Sequence, residues 1–218
     1  MVYRNKFTRV KTAKGRKKSS TSWLQRQLND PYVLQAKQEG YRSRAAYKLI
    51  EINEKFKILK KGKLVIDLGA APGGWSQVAV KIVGQNNVLA VDILDMEEIS
   101  GVKFIQQDFL QENADEIIIK EMNDKKCHIV LSDMAANTSG DAKTDHIRII
   151  NILEETLEFS KKILAKDGSF VGKIFQGGAG QDLLKIFKSY FKTVKHFKPK
   201  SSRKESAENY VIGLGFKN

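Results

Sequence analysis

Asp67, Asp92 and Asp108 each stand at or near the end of a short apolar run, 25 and then 16 residues apart. The first belongs to Leu64-Val65-Ile66-Asp67-Leu68-Gly69-Ala70-Ala71-Pro72-Gly73-Gly74-Trp75, a Gly/Pro loop between a buried strand and a helix. Small residues there let backbone approach a ligand closely, at the carboxyl edge of a sheet where such folds bind ligands. The spacing G-x-x-x-G-G is not the G-x-G-x-x-G of dinucleotide sites, and no Gly-Lys-Ser/Thr follows as it does in a phosphate loop. Asp92 is placed to accept from both hydroxyls of a ribose, and Asp108 from an adenine amino group. An acidic edge disfavours a phosphate-bearing cofactor and suits one with a cationic centre. S-adenosylmethionine has a ribose, an adenine, a sulfonium and no phosphate. The loop, including Asp67, Gly69, Gly73, Gly74 and Trp75, is therefore read with Asp92 and Asp108 as its site.

The acceptor can be narrowed by elimination. Amino-group methylation favours an N/D-P-P-aromatic stretch after the fourth strand, where this chain has Ser132-Asp133-Met134-Ala135-Ala136-Asn137. Methylation at a pyrimidine C5 needs a cysteine nucleophile. The one thiol, Cys127, precedes the fourth apolar run and reads as a small buried hydrophobe. His128, His146 and His196 share no metal-ligand spacing, so no metal is expected. Oxygen methylation by direct transfer remains. A hydroxyl then needs alignment and somewhere for its proton to go, with no covalent enzyme intermediate. Lys173, in Gly172-Lys173-Ile174-Phe175, is a lysine in an otherwise apolar strand. Such a lysine is costly unless paired, and burial makes its amine a candidate for that proton.

Alternating elements must hold these groups. A helical stretch from about Thr21 is interrupted at Pro31, and a second helix runs from Ser43 to about Phe56. Strands follow at Leu64–Leu68, Val88–Val91, Val102–Gln106, His128–Leu131 and Ser169–Phe175, with helices between them at Trp75–Val83, Ala114–Met122 and Thr144–Leu164. A helix at Leu183–Phe191 and strands at Lys192–Phe197 and Glu208–Phe216 complete the chain. Such alternation implies an α/β fold with a mainly parallel sheet covered on both faces.

Charge points to the partner. The 218 residues carry 38 Lys+Arg against 25 Asp+Glu, a net +13, and the excess sits at the two ends. Residues 1–20 hold eight bases and no acid, and 185–218 hold nine bases and two acids, whereas 49–184 hold 16 bases and 21 acids. Residues 1–20 read as a flexible basic arm ahead of a domain over 21–218. Segregated positive charge suggests a nucleic-acid partner, with Arg42, Arg44 and the 198–204 segment expected to hold phosphates near the site. No apolar stretch is long enough for a membrane span or a secretory signal, and a single cysteine fits a reducing compartment, so a cytoplasmic protein is expected.

Five ordered stretches carry a resemblance: Tyr41–Leu49, Asp67–Trp75, Leu131–Ala135, Gly172–Gly177 and Lys198–Arg203. Together they resemble the FtsJ/RrmJ family of RNA ribose 2′-O-methyltransferases, over roughly residues 22–216. The resemblance implies a Rossmann-like class I S-adenosylmethionine-dependent methyltransferase fold with a seven-stranded sheet. It also implies a catalytic tetrad: Lys48 in the S-R-A-x-[YF]-K-L motif, Asp133 in S-D-M-A, Lys173 in V-x-K-x-F-Q-G, and Glu208 just before the last strand. The family's cofactor positions fall on Gly73, Trp75, Asp92 and Asp108, with Asp133 near the methyl donor. The implied substrate is a uridine ribose of large-subunit (23S) rRNA, met in the large ribosomal subunit.

Alternatives stay open at this stage. A tRNA ribose methyltransferase would share the tetrad, and an RNA-binding assembly factor could keep the fold alone. Glu205 could serve in place of Glu208. Ala136 stands where the family often has Pro, which would loosen the loop after Asp133, and the basic arm is longer than the usual bacterial form.

Overall fold

Val65 and Ile66 are neighbours in the first strand yet belong to different cores, because successive side chains of a strand point to opposite faces. That two-sided burial repeats along the chain. The computed structural model describes residues 8–10, 15, 18–135, 140–175 and 181–217. Its strands are β1 (Val65–Leu68), β2 (Val88–Asp92), β3 (Val102–Gln106), β4 (Cys127–Ser132), β5 (Leu164–Phe175), β6 (Phe191–Phe197) and β7 (Glu208–Phe216). They form one seven-stranded sheet in the order β3-β2-β1-β4-β5-β7-β6. The pairs β1–β2, β1–β4, β2–β3 and β4–β5 are parallel, and β7 lies antiparallel between β5 and β6.

The helices are α1 (Lys18–Asn29), α2 (Pro31–Glu39), α3 (Ala46–Phe56), α4 (Gly74–Val83), α5 (Ala114–Glu121), α6 (Ala142–Ile163) and α7 (Gln181–Tyr190). One face of the sheet is covered by α3 and α4, through Leu49, Ile52, Trp75 and Val78. The other is covered by α5, α6 and α7, through Ile118, Leu153, Leu157 and Phe187. β1 is buried at every position, as a central parallel strand covered on both sides must be. The expected mostly parallel sheet with helices on both faces is the fold found. Among the described residues no helix is long and apolar enough to cross a membrane.

Several boundaries differ from expectation. α1 starts at Lys18, inside the stretch read as an arm. Thr8 N–H donates to Asn29 Oδ1 at 2.8 Å and Val10 N–H to Gln25 Oε1 at 3.1 Å, so residues 8 and 10 are hydrogen-bonded to α1. The rest of the arm, like Ala136, Asn137, Gln176 and Gly177, lies outside the described residues, apart from Thr8–Val10, Gly15 and the start of α1. Pro31 ends α1 and also starts α2, with Asp30 accepting from Tyr32 N–H as the cap. β5 begins at Leu164 rather than Ser169. The β4–β5 ladder is irregular across this stretch, pairing Cys127 with Leu164 and Ile129 with Ser169, and Asp167 adopts φ 63°. β3 ends at Gln106, so Asp108 lies two residues beyond the strand rather than at its end.

Candidate active site

β4 ends at Ser132, which pairs in register with Gly172, so Asp133 emerges from the sheet beside Lys173. Lys173 faces Tyr210 directly across the antiparallel β5–β7 pair, and Glu208 lies two residues before Tyr210 on the same face of β7. Lys48, on α3, packs over that face. These four elements bring the expected tetrad together. Lys173 Nζ is 2.9 Å from Asp133 Oδ1 and donates to the Asp133 carbonyl oxygen at 2.6 Å. Lys48 Nζ is 2.7 Å from Glu208 Oε2 and 3.6 Å from Asp133 Oδ2. Glu205 is exposed and makes no such contact, so the alternative to Glu208 is not the one the fold selects.

Two lysines and two carboxylates balance in charge, and the lysine side chains are only 9% and 11% exposed. Burial alone would raise the Asp133 pKa, but Lys173 and Lys48, helped by the Tyr210 hydroxyl, hold it below the usual carboxylate range. Burial pulls the Lys48 ammonium down, yet Asp133 and Glu208 outweigh it and its pKa is raised. Sequence reasoning missed two members of the network. Tyr210 O–H donates to Asp133 Oδ1 at 2.6 Å, and Ser202 O–H donates to Glu208 Oε1 at 2.7 Å. The two-residue period from Glu208 to Tyr210 signals the first only once the β5–β7 register is known.

At the carboxyl edge of the sheet, Asp67 ends fully buried, accepting from Ser76 O–H at 2.6 Å through Oδ2. Its Oδ1 has no hydrogen-bond partner among the described residues. Burial first, then the nearby Asp133 and Asp92 charges, push its pKa up to about 7 against the lowering effect of the Ser76 bond. Asp92 accepts from Ala71 N–H and Leu94 N–H, each at 2.8 Å, so it also staples the glycine loop to the end of β2. Asp108 accepts from Leu110 N–H at 3.0 Å. An orphaned buried carboxylate oxygen, within the electrostatic reach of two further carboxylates, fits a cofactor with cationic and hydroxyl donors.

The loop's glycines serve the protein's own packing as much as ligand access. A Cβ on Gly69 (φ 72°) would lie 2.5 Å from Met134 Cγ, and one on Gly74 would lie 2.4 Å from Ser43 Oγ. Gly73 adopts φ 105°, at the start of α4. Trp75 is buried against Tyr210, with ring centroids 5.6 Å apart, and donates to the Ala45 carbonyl at 2.8 Å.

Arg42, Arg44 and Lys198 are engaged internally, contrary to the expectation that they hold phosphates. Arg42 donates to the carbonyls of Glu97, Glu98 and Pro72 at 2.6, 2.7 and 3.3 Å. Arg44 pairs with Asp30 and donates to the Ser201 carbonyl, and Lys198 donates to the Ser206 carbonyl at 2.6 Å. Arg26, Lys200 and Lys204 are exposed, and they line a cleft of about 710 Å³ with Arg44 and Arg203. A second cleft of about 400 Å³ shares Arg26, Arg44 and Arg203 with it and reaches Lys48 and Glu208.

Residues 41–216 match the family described as FtsJ-like methyltransferase. The chain is similar to ribosomal RNA large subunit methyltransferase E of Rickettsia akari (strain Hartford), at 54% identity over 99% of this chain and 97% of that protein. The protein of the same name from Rickettsia africae (strain ESF-5) is 52% identical over the same shares. Among solved structures, a Plasmodium falciparum protein described as a ribosomal RNA methyltransferase superposes with a TM-score of 0.72 at 31% identity, covering 81% of this chain and 98% of that one. A Lactococcus lactis protein described as a hemolysin shares the fold alone, with a TM-score of 0.56 at 18% identity over 80% of this chain and 88% of its own.

Proposed function

The chain belongs to the FtsJ-like methyltransferase family, and from that premise we propose that it methylates a ribose 2′-hydroxyl of RNA, a uridine of large-subunit rRNA, using S-adenosylmethionine. The observation that carries this reading is the buried Lys48–Asp133–Lys173–Glu208 cluster between a carboxylate-lined edge and a basic cleft. The names of the 52–54% identical relatives support the rRNA target.

When bound, S-adenosylmethionine supplies an electrophilic methyl group. Asp92 and Asp108 would hold its ribose and adenine, and Asp67 and Asp133 would face its cationic centres. Gly69, Gly73, Gly74 and Trp75 shape the loop around it. A neutral amine donates two hydrogen bonds and keeps one lone pair. Lys173 has two acceptors on Asp133, the carboxylate and the carbonyl, which orient Nζ; once its ammonium has released a proton to solvent, the lone pair so freed would face the incoming hydroxyl. Nζ would take the hydroxyl proton in a direct transfer that breaks the donor's sulfur–methyl bond and leaves a neutral thioether. Asp133 stabilises the ammonium so formed, and Tyr210 fixes the carboxylate. Lys48, anchored by Glu208, holds the substrate at the mouth of the cleft.

The test is to incubate the protein with labelled S-adenosylmethionine and large ribosomal subunits that lack the modification, then map the methyl. Label on a uridine 2′-oxygen of large-subunit rRNA is expected. Label on a base, or in tRNA but not in subunits, would overturn the reading, and an absence of any transfer would leave only an RNA-binding factor.

A further inference from the structure

Trp23 is one of two tryptophans in the chain, and it is 51% exposed, whereas Trp75 is 2% exposed in the core. On a helix, residues three and four apart share a stripe. Arg26 and Gln27, three and four positions after Trp23 in α1, line the cleft that runs to Lys48 and Glu208. Trp23 therefore stands one turn further along the same stripe, beyond the end of the cleft lining. The hydrogen-bonded N-terminal residues do not cover it. Thr8 and Val10 bond to Gln25 and Asn29, which lie on a different stripe of α1. An exposed indole one helical turn from the exposed Arg26, with the exposed Lys200 and Lys204 lining the same cleft as Arg26, is the combination that single-stranded nucleic acid uses. Cations track the backbone, while an aromatic face receives a base whatever its sequence.

We propose that Trp23 is a stacking platform for an unpaired nucleobase of the substrate RNA, flanking the nucleotide whose ribose enters at Lys48 and Lys173. This rests on the RNA substrate assigned above and adds a specific contact to it. A base on the Trp23 indole would anchor the strand on α1 and lay its backbone past Arg26 toward the tetrad, within reach of Lys200 and Lys204.

Tryptophan fluorescence of the full chain, titrated with a short single-stranded oligoribonucleotide of mixed sequence, tests this. Binding should quench the exposed indole, and Trp23→Phe should abolish most of that quenching while largely keeping affinity. Trp23→Ala should weaken binding roughly tenfold or more, a typical loss for one stacked base. Its salt dependence should stay that of the wild type, since an indole releases no counterions, whereas Arg26→Ala should flatten the slope by about one phosphate contact. The KM for large subunits should rise in Trp23→Ala, with S-adenosylmethionine affinity unchanged. Unquenched fluorescence on binding, or equal oligoribonucleotide affinity in Trp23→Ala, overturns the proposal. That holds even if the KM for subunits rises, because Trp23 would then meet something other than a base. A wild-type protein that binds no RNA and methylates no subunit would instead overturn the function on which the proposal rests.

Discussion

Lys173 Nζ is satisfied twice by one residue, through the carboxylate and the carbonyl of Asp133. Lys173→Ala leaves Asp133 with Lys48 and Tyr210, so the variant should fold and bind S-adenosylmethionine. Loss of a general base typically costs about a hundred- to ten-thousandfold in rate, so single-turnover methylation should fall by at least about two decades. Lys173→Arg should not restore it, because a guanidinium stays protonated. Near wild-type turnover in either variant would remove Lys173 from the chemistry. Asp67 makes a pH-dependent prediction. Its pKa of about 7 in the fold exceeds the roughly 3.9 of an unfolded aspartate, so the native state binds the extra proton between those values. This residue's contribution to stability is therefore greatest below about pH 4 and declines as pH rises toward 7. Asp67→Asn should remove that decline. Urea denaturation of the cofactor-free protein at about pH 5 and pH 8 reads it out, and parallel wild-type and variant profiles would refute it.

Between elements, the residues around the cofactor loop act as joints. Arg42 precedes α3 and grips carbonyls from the loops after β1 and β2, while its own N–H donates to Gln77 Oε1 of α4 at 2.8 Å. The helix that carries Lys48 is thus fastened to the loop that carries Gly73. Hydrogen bonds to a charged group are worth about 1.5–3 kcal/mol, so Arg42→Ala should weaken S-adenosylmethionine binding by about tenfold. The salt slope of RNA binding should not change, because this guanidinium is occupied by carbonyls. Calorimetry with unchanged cofactor affinity, or a salt slope reduced by about one contact, would return Arg42 to the role of a phosphate ligand.

Across the whole molecule, the two basic ends of the sequence meet. The larger cleft is walled by residues 21–32 from one end and 200–205 from the other, with Arg44 between them. Asp30 holds the seam by pairing with both Arg44 and Arg203, the latter at 3.3 Å. The division into a basic arm and a methyltransferase domain leads to a direct test. Residues 1–17 carry seven bases, and removing them should weaken RNA binding and flatten its salt dependence without altering S-adenosylmethionine affinity. An unchanged salt slope in the truncated protein would make the arm a bystander to RNA.

The sequence by itself determined the alternation of strands and helices, the ligand loop at the end of β1, the carboxylates in β1, at the end of β2 and just past β3, and the lysine buried in β5. Each of these is written in local periodicity or in a residue type out of keeping with its neighbours. Resemblance added Lys48, Asp133 and Glu208. Only the tertiary structure decided that Glu208 rather than Glu205 meets Lys48, that Tyr210 holds Asp133, and that Arg42 and Arg44 are spent on the protein's own backbone and on Asp30. Side-chain partners depend on strand register and on crossovers that join distant positions. Lys48 and Glu208 lie 160 residues apart, and no local pattern can encode a contact made at that separation.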